Sequence, residues 1–209
     1  MPNPDTTTTD HPLNHPLDRP LRVAIVIGST RDGRLAPTVG AWFTQQARTH
    51  APETHFDVID LTELRLPDNH PSWGHTPTPE QTELAARVDA ADAYVIVTPE
   101  YNHSFPAHLK HFIDLHREEW QAKPVGFVSY GGVGGGLRAV EQLRLVFAEL
   151  HATTVRDGVS FHRVTADHFA EDGPAYAPQG AGEAAKIMLD QLDWWAQALR
   201  TARENRPYT

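Results

Sequence analysis

The chain has 209 residues, 18 Lys+Arg against 27 Asp+Glu for a formal net charge of −9, and 40% hydrophobic residues. That content suits one large domain with its own core, and the lack of any cysteine excludes disulfides, thiolate nucleophiles, zinc-thiolate sites and iron–sulfur clusters. The acidic balance argues against nucleic acid and anionic membrane as partners, and no apolar run approaches the ~20 residues of a bilayer span.

Residues 1–20 are rich in proline and threonine and poor in large apolar groups, so they are expected to form a disordered leader. They lack a basic segment followed by an apolar one, so no secretory signal is expected and the location is read as cytoplasmic. Arg22–Ile27 then reads as a buried strand. Leu35, Val39, Trp42, Phe43 and Ala47 recur at helical spacing. Phe56–Asp60 is a second strand, followed by a proline-rich loop over 66–79. Glu80–Ala91 is a helix, Ala93–Thr98 a third strand and Pro106–His116 another helix. Val125–Tyr130 is a fourth strand, Leu137–Leu150 a periodic helix and Thr153–Val159 a fifth strand. A last helix is expected over Glu183–Arg200. One folded domain therefore spans 21–202, with a flexible tail at 203–209. Strands that are nearly continuous in apolar residues, separated by helices, predict an α/β doubly wound sandwich around a parallel sheet.

In such a fold ligands bind beyond the carboxyl ends of the strands. Three unusual loops fall there: GSTRDGR (28–34), TPEYNHSFP (98–106) and SYGGVGGGLR (129–138). In the first, Ser29 and Thr30 offer hydroxyls and Arg31 and Arg34 offer charge just before a helix N-terminus, a setting that favours phosphate. The alternative is that both arginines pair with acidic neighbours. The third loop places five glycines between Gly131 and Gly136, which lets the backbone approach a flat ligand.

Other constellations are weaker. No GxxxxGK[ST] is present, which excludes a triphosphate P-loop. Gly134, Gly136 and Ala139 fit GxGxxA with Asp157 about 20 residues on, but too little chain follows for a dinucleotide half-domain. His103, His108, His111 and His116 cluster without an evident third ligand, so no metal is expected. No GxSxG elbow presents a nucleophile. Trp194 and Trp195 read as helix packing or partner contact, and Trp73 is a candidate cover for a neighbouring subunit's site. Leu109, Phe112, Ile113 and Leu115 wrap more than one face of their helix, which points to an interface.

GSTRDGR, TPEYNHSFPAHLKHFID and SYGGVGGGLRAVEQLR together resemble the NADPH-dependent FMN reductases, a family of flavodoxin-like flavin, quinone, azo-dye and chromate reductases. The likeness covers roughly residues 21–160, and the EYNxSxPxxLKxxID run is its most specific part. It implies a five-stranded parallel sheet in the order 2-1-3-4-5, bound FMN, and dimers or dimers of dimers. By motif, Ser29, Arg31 and Arg34 would take the FMN phosphate. Pro99, Glu100, Tyr101, Asn102 and Ser104 would line the ribityl chain and isoalloxazine, and Ser129, Tyr130, Gly131 and Gly132 would meet the ring from the other side. Ala107 and His111 depart from the residues common in the family at those positions.

The implied activity is hydride transfer from NADPH or NADH to FMN and on to a small acceptor such as a flavin or quinone. No acid–base residue is nominated as catalytic, because the cofactor carries the chemistry. A flavodoxin-type electron carrier without nicotinamide activity, or a biosynthetic flavoenzyme with a specific acceptor, are the alternatives.

Overall fold

The computed structural model describes residues 19–72, 74–170 and 180–208. Strand β1 (Arg22–Ile27) lies at the centre of a parallel sheet, between β2 (His55–Asp60) and β3 (Ala93–Pro99), and β4 (Pro124–Gly131) follows β3. Helices α1 (Ala36–His50), α2 (Pro79–Asp89), α3 (Ala107–Asp114), α4 (Leu137–Glu149) and α5 (Ala181–Asn205) cover the sheet. The order is 2-1-3-4-5, as expected for the doubly wound arrangement.

The apolar runs reflect burial on both faces. Val23, Ile25 and Ile27 of β1 point into one core, with α1 and α5, while Ala24 and Val26 point into the other, with α3 and α4. The period-2 alternation of a strand divides one hydrophobic run between two cores. Trp120 is completely buried in the second core and meets Tyr94, Phe112 and Phe147 with ring centroids 4.4, 6.0 and 5.3 Å away.

Three expectations need correction. The fifth strand is divided in two. β5 (Thr153–Thr154) pairs with Pro124 and Val125, and β6 (Val159–His162) pairs with Val128–Gly131, making six strands. Between them Asp157 bonds Gln191 of α5, and a Cβ on Gly158 would meet the Phe127 carbonyl oxygen at 2.9 Å. The segment leaves the ladder to reach α5 and returns through a glycine that tolerates the close approach. Secondly, Leu109, Phe112 and Ile113 are all buried in the core of this chain, and of the four apolar residues named on the Pro106 helix only Leu115 is left part-exposed, so they do not form an apolar face for a partner. Thirdly, α5 continues through Asn205, and Arg203 donates to the Ala122 carbonyl oxygen, so 203–205 are helical rather than tail.

Of the expected leader, residues 1–18 lie outside the described residues, as does Trp73. Arg19 grips buried Asp92 at two points, 2.8 Å each, and Asp92 also accepts from the Arg22 amide at 3.0 Å. Arg200 and Arg203 stand 3.7 Å from the same carboxylate. The start of the described chain, the sheet and the last helix are thus joined at the amino edge of the strands, opposite the three unusual loops.

Candidate active site

All three loops open on the carboxyl edge of the sheet, where the parallel strand order places them. The first leaves β1 at Ile27. Ser29 is fully buried and its hydroxyl lies 2.7 Å from the Tyr101 hydroxyl, which ties the first loop to the second. Arg31 is exposed. Arg34 is committed elsewhere: it meets the Asp60 carboxylate at two 2.7 Å contacts, the Thr62 hydroxyl at 2.8 Å and the Ser29 carbonyl at 2.8 Å. Of the two arginines it is the one that pairs with an acidic neighbour. Helix α1 begins without a side-chain cap and without an acidic residue in its first turn, which leaves its positive end available to an anion.

In the second loop, Tyr101 and Ser104 exchange backbone hydrogen bonds of 2.8 and 3.0 Å across a two-residue turn. Asn102 and His103 sit at its tip with φ of 49° and 75°. Two successive positive φ values define the tight hairpin turn usually made by Asn-Gly. The side chain at His103 makes this costlier, and α4 holds the turn in place. Gln142 donates to the His103 carbonyl at 2.9 Å and accepts from the Ser104 hydroxyl at 2.5 Å, while Arg138 lies 3.1 Å from the His103 ring. Arg138 and Gln142 are four apart and share one helix face.

The third loop runs from Gly131 into α4. Gly136 has φ 85°, and a Cβ there would stand 2.6 Å from the Ser129 Cβ, so only glycine fits. Ser129 and Ser160 both donate to the Gly135 carbonyl, at 2.9 and 2.8 Å, and the His162 ring meets the Val133 carbonyl at 3.0 Å. Beneath the loop, buried Glu100 pairs with Arg138 through one carboxylate oxygen, and its other oxygen is buried without a hydrogen-bond partner among the described residues. Gly132 differs from its neighbours, because a Cβ added there meets no protein atom within 4 Å.

Tyr130 is the second buried group left unpaired. Its hydroxyl has no hydrogen-bond partner among the described residues, although Ser29, already bonded to Tyr101, is its polar neighbour. Burial pushes its phenol well above the ordinary tyrosine range and Tyr101 adds to the rise, against smaller lowering effects of the neighbouring Ser29 hydroxyl and the Arg34 charge. The neutral hydroxyl is therefore a donor at any physiological pH, beside the loop expected to hold a phosphate. A phenol without a hydrogen-bond partner among the described residues, an uncapped helix end, an exposed Arg31 and open space at the Gly132 Cβ position fit a flat, phosphate-bearing ligand laid across the three loops.

Asp60, Thr62, Arg138, Gln142, Ser160 and Arg163 shape this region without having been singled out from the sequence. Arg138 and Gln142 lie within a quoted motif, and their helical spacing was the available signal. Asp60 and Arg163 carried none, since both are brought to the loops by strand pairing. The clustered histidines separate: His111 bonds the Pro67 carbonyl at 2.7 Å, His116 the Phe112 carbonyl at 2.8 Å, and His103 faces Arg138. A groove of about 1000 Å3 lies away from the loops, along α5 and the edge strand β2, lined by Leu21, Phe56, Leu189, Leu192 and Trp194.

A sequence model described as NADPH-dependent FMN reductase matches residues 21–166. An NAD(P)H-dependent FMN reductase of Schizosaccharomyces pombe is 38% identical over 123 residues, 55% of this chain and 60% of that protein. Another protein so named, from Saccharomyces cerevisiae, is 31% identical over 149 residues, 65% of this chain and 78% of that one. The alignment thus spans less than two thirds of the first relative's length. Among solved structures, the flavoenzyme FerB, an NAD(P)H:acceptor oxidoreductase from Paracoccus denitrificans, superposes with a TM-score of 0.68 at 21% identity, covering 83% of this chain and 98% of that one. At that identity the likeness bears on the fold.

Proposed function

The chain belongs to the NADPH-dependent FMN reductase family, and from that premise we propose that it binds FMN across the three loops and passes electrons from NADPH or NADH to a small acceptor such as a flavin or quinone. The observation that carries this reading is the convergence of Ser29, Tyr101 and Tyr130 at one point. Ser29 and Tyr101 form a bonded pair of hydroxyls, Tyr130 lies beside Ser29 with no hydrogen-bond partner among the described residues, and the loop that carries Ser29 leads into the uncapped start of α1.

In this reading Ser29, Arg31 and the first amides of α1 take the phosphate, with the Tyr130 phenol donating beside them. Arg34 acts one step back: by holding the Ser29 carbonyl and Asp60 it fixes the course of the loop. Pro99, Glu100, Tyr101, Asn102 and Ser104 form one wall, and the turn at 102–103, pinned by Gln142 and Arg138, sets its height. Ser129, Gly131 and Gly132 form the other, with Gly132 leaving room for a ring. FMN, when bound, supplies the hydride-accepting N5 atom. The backbone and the N-terminal end of α4, which carries no acidic residue in its first turn, provide a positive field for the negative charge that arrives with the hydride.

The finer points of the reading are a cytoplasmic location and a homodimer. Among the described residues no helix is long and apolar enough to cross a membrane. Trp194 and Trp195 are 63% and 39% exposed and meet edge to face at 5.1 Å beside the α5 groove, a cost in exposed apolar surface that a second subunit would relieve.

The test is direct. Purified protein reconstituted with FMN should be yellow and should oxidise NADPH or NADH when a quinone or free flavin is added. Protein that holds FMN but oxidises neither coenzyme would be an electron carrier instead.

A further inference from the structure

The arginines around the loops divide by what they touch. Arg34 is neutralised by Asp60 and Arg138 by Glu100. Arg163 is exposed, and no carboxylate pairs with its side chain among the described residues. It lies outside the motifs, one residue past β6. Its amide donates to both the Gly131 and Gly132 carbonyls, at 2.7 and 3.2 Å, so its Cα is fixed against the two residues expected to meet the ring. It also sits at φ 53°, the left-handed region that glycine or asparagine occupies at lower cost. A long cation is kept at a strained position, on the rim of the site, in a chain of net charge −9.

We propose that Arg163 binds the pyrophosphate of the incoming nicotinamide dinucleotide and so sets the affinity for NADPH and NADH alike. The proposal rests on the reading above that the 131–132 segment faces a flavin ring. On that reading a nicotinamide stacked on the ring would carry its pyrophosphate one ribose away, within the range of a long side chain rooted beside Gly131. The adenosine 2′-phosphate is separated from it by a further ribose. A guanidinium offers a planar pair of donors that matches two phosphate oxygens, and a local cation is what a polyanion needs to approach an acidic protein. Arg31, on the β1–α1 loop, remains for the phosphate of FMN itself, so the two anions have separate partners.

The experiment uses FMN-loaded protein and three electron donors: NADPH, NADH and N-benzyl-1,4-dihydronicotinamide, which has no phosphate. Arg163→Gln should raise KM for NADPH and for NADH by about tenfold each, the size expected for one charge-assisted contact. It should leave the FMN dissociation constant and the rate with the benzyl compound unchanged, and Arg163→Lys should recover part of the loss. Arg163→Gly, which suits the positive φ, serves as the second variant should the glutamine protein fold poorly. Unchanged KM values would overturn the proposal, and so would a rise confined to NADPH, which would place the charge at the 2′-phosphate. An equal loss with the benzyl compound would also overturn it, because the residue would then act by shaping the loop. Wild-type protein that takes up no FMN, or that holds FMN but oxidises none of the three donors, would refute the functional reading itself. A working enzyme indifferent to Arg163 refutes only this assignment.

Discussion

Arg34 and Asp60 form a two-point ion pair, with both contacts at 2.7 Å, that fastens the loop after β1 to the end of the neighbouring strand. Burial works to raise the Asp60 pKa, but the bonds from Arg34 and Thr62 outweigh it and hold the carboxyl below its ordinary value. The same guanidinium reaches the Ser29 carbonyl, so the path of the candidate phosphate loop depends on it.

The two arginines of that loop should therefore fail differently. Arg31→Ala should weaken FMN binding ~10- to 100-fold, from one lost charge-assisted bond of about 1.5–3 kcal/mol, and should hardly affect riboflavin, which lacks the phosphate. Arg34→Ala leaves Asp60 part-buried without its partner at a cost of about 1–3 kcal/mol, so the melting temperature should fall by several degrees and both ligands should weaken together. Flavin fluorescence titrations with FMN and riboflavin decide it. Equal loss of both ligands in the Arg31 variant would remove that residue from the phosphate.

Tyr130→Phe should act with opposite signs on the empty and loaded protein. Deleting a buried donor that has no hydrogen-bond partner among the described residues should leave the apo melting temperature unchanged or raise it, whereas FMN should lose one neutral hydrogen bond, about 0.5–1.5 kcal/mol or roughly a three- to tenfold rise in Kd. An apo protein clearly destabilised by the change would show that the phenol is satisfied within the chain.

Because a Cβ at Gly132 meets no protein atom within 4 Å, Gly132→Leu should fold normally and yet lose its yellow colour. The near-wild-type melting temperature of the apo form separates expulsion of the ligand from damage to the loop. A variant that keeps its colour and full NADPH turnover would move the ring elsewhere.

His116 gives a pH dependence whose sign is set by burial. Desolvation among Phe112 and Trp120 lowers its pKa, against smaller upward effects of the Phe112 carbonyl and Glu119. The unfolded chain therefore binds a proton, near the ordinary pKa of about 6.5, before the folded chain does. Stability is full above that value and falls as pH drops below it. Between pH 7.5 and 5.5 the melting temperature of wild type should fall further than that of His116→Gln, and parallel slopes would show that the ring carries no such linkage.

If the α5 groove with Trp194 is covered by a second copy, light scattering at micromolar concentration should return twice 23.3 kDa. Trp194→Glu together with Trp195→Glu should return the mass to that of one chain. A wild-type monomer would reject the arrangement.

Much of this was legible along the chain. The strand cores over 22–27, 93–98 and 125–130 and the helices between them follow from local periodicity, and the three loops follow from glycine, hydroxyl and charge placed directly after strands. Local spacing decides these because hydrophobic period and turn chemistry act over a few residues. The division of Thr153–His162 into two strands is different in kind. It depends on Gln191 drawing Asp157 out of the ladder and on Gly158 passing close to Phe127. The separate fates of Arg31 and Arg34 likewise depend on Asp60, 26 residues beyond Arg34, arriving beside it through the β1–β2 pairing. Arg163 reaches the Gly131 and Gly132 carbonyls only because β6 pairs with β4. The sequence by itself determined the order of elements and the edge of the sheet where chemistry gathers, since both are written in short-range pattern. Only the tertiary structure decided which charges are spent on one another and which remain for a ligand, because a charge is spent by whatever long-range folding brings within hydrogen-bonding distance.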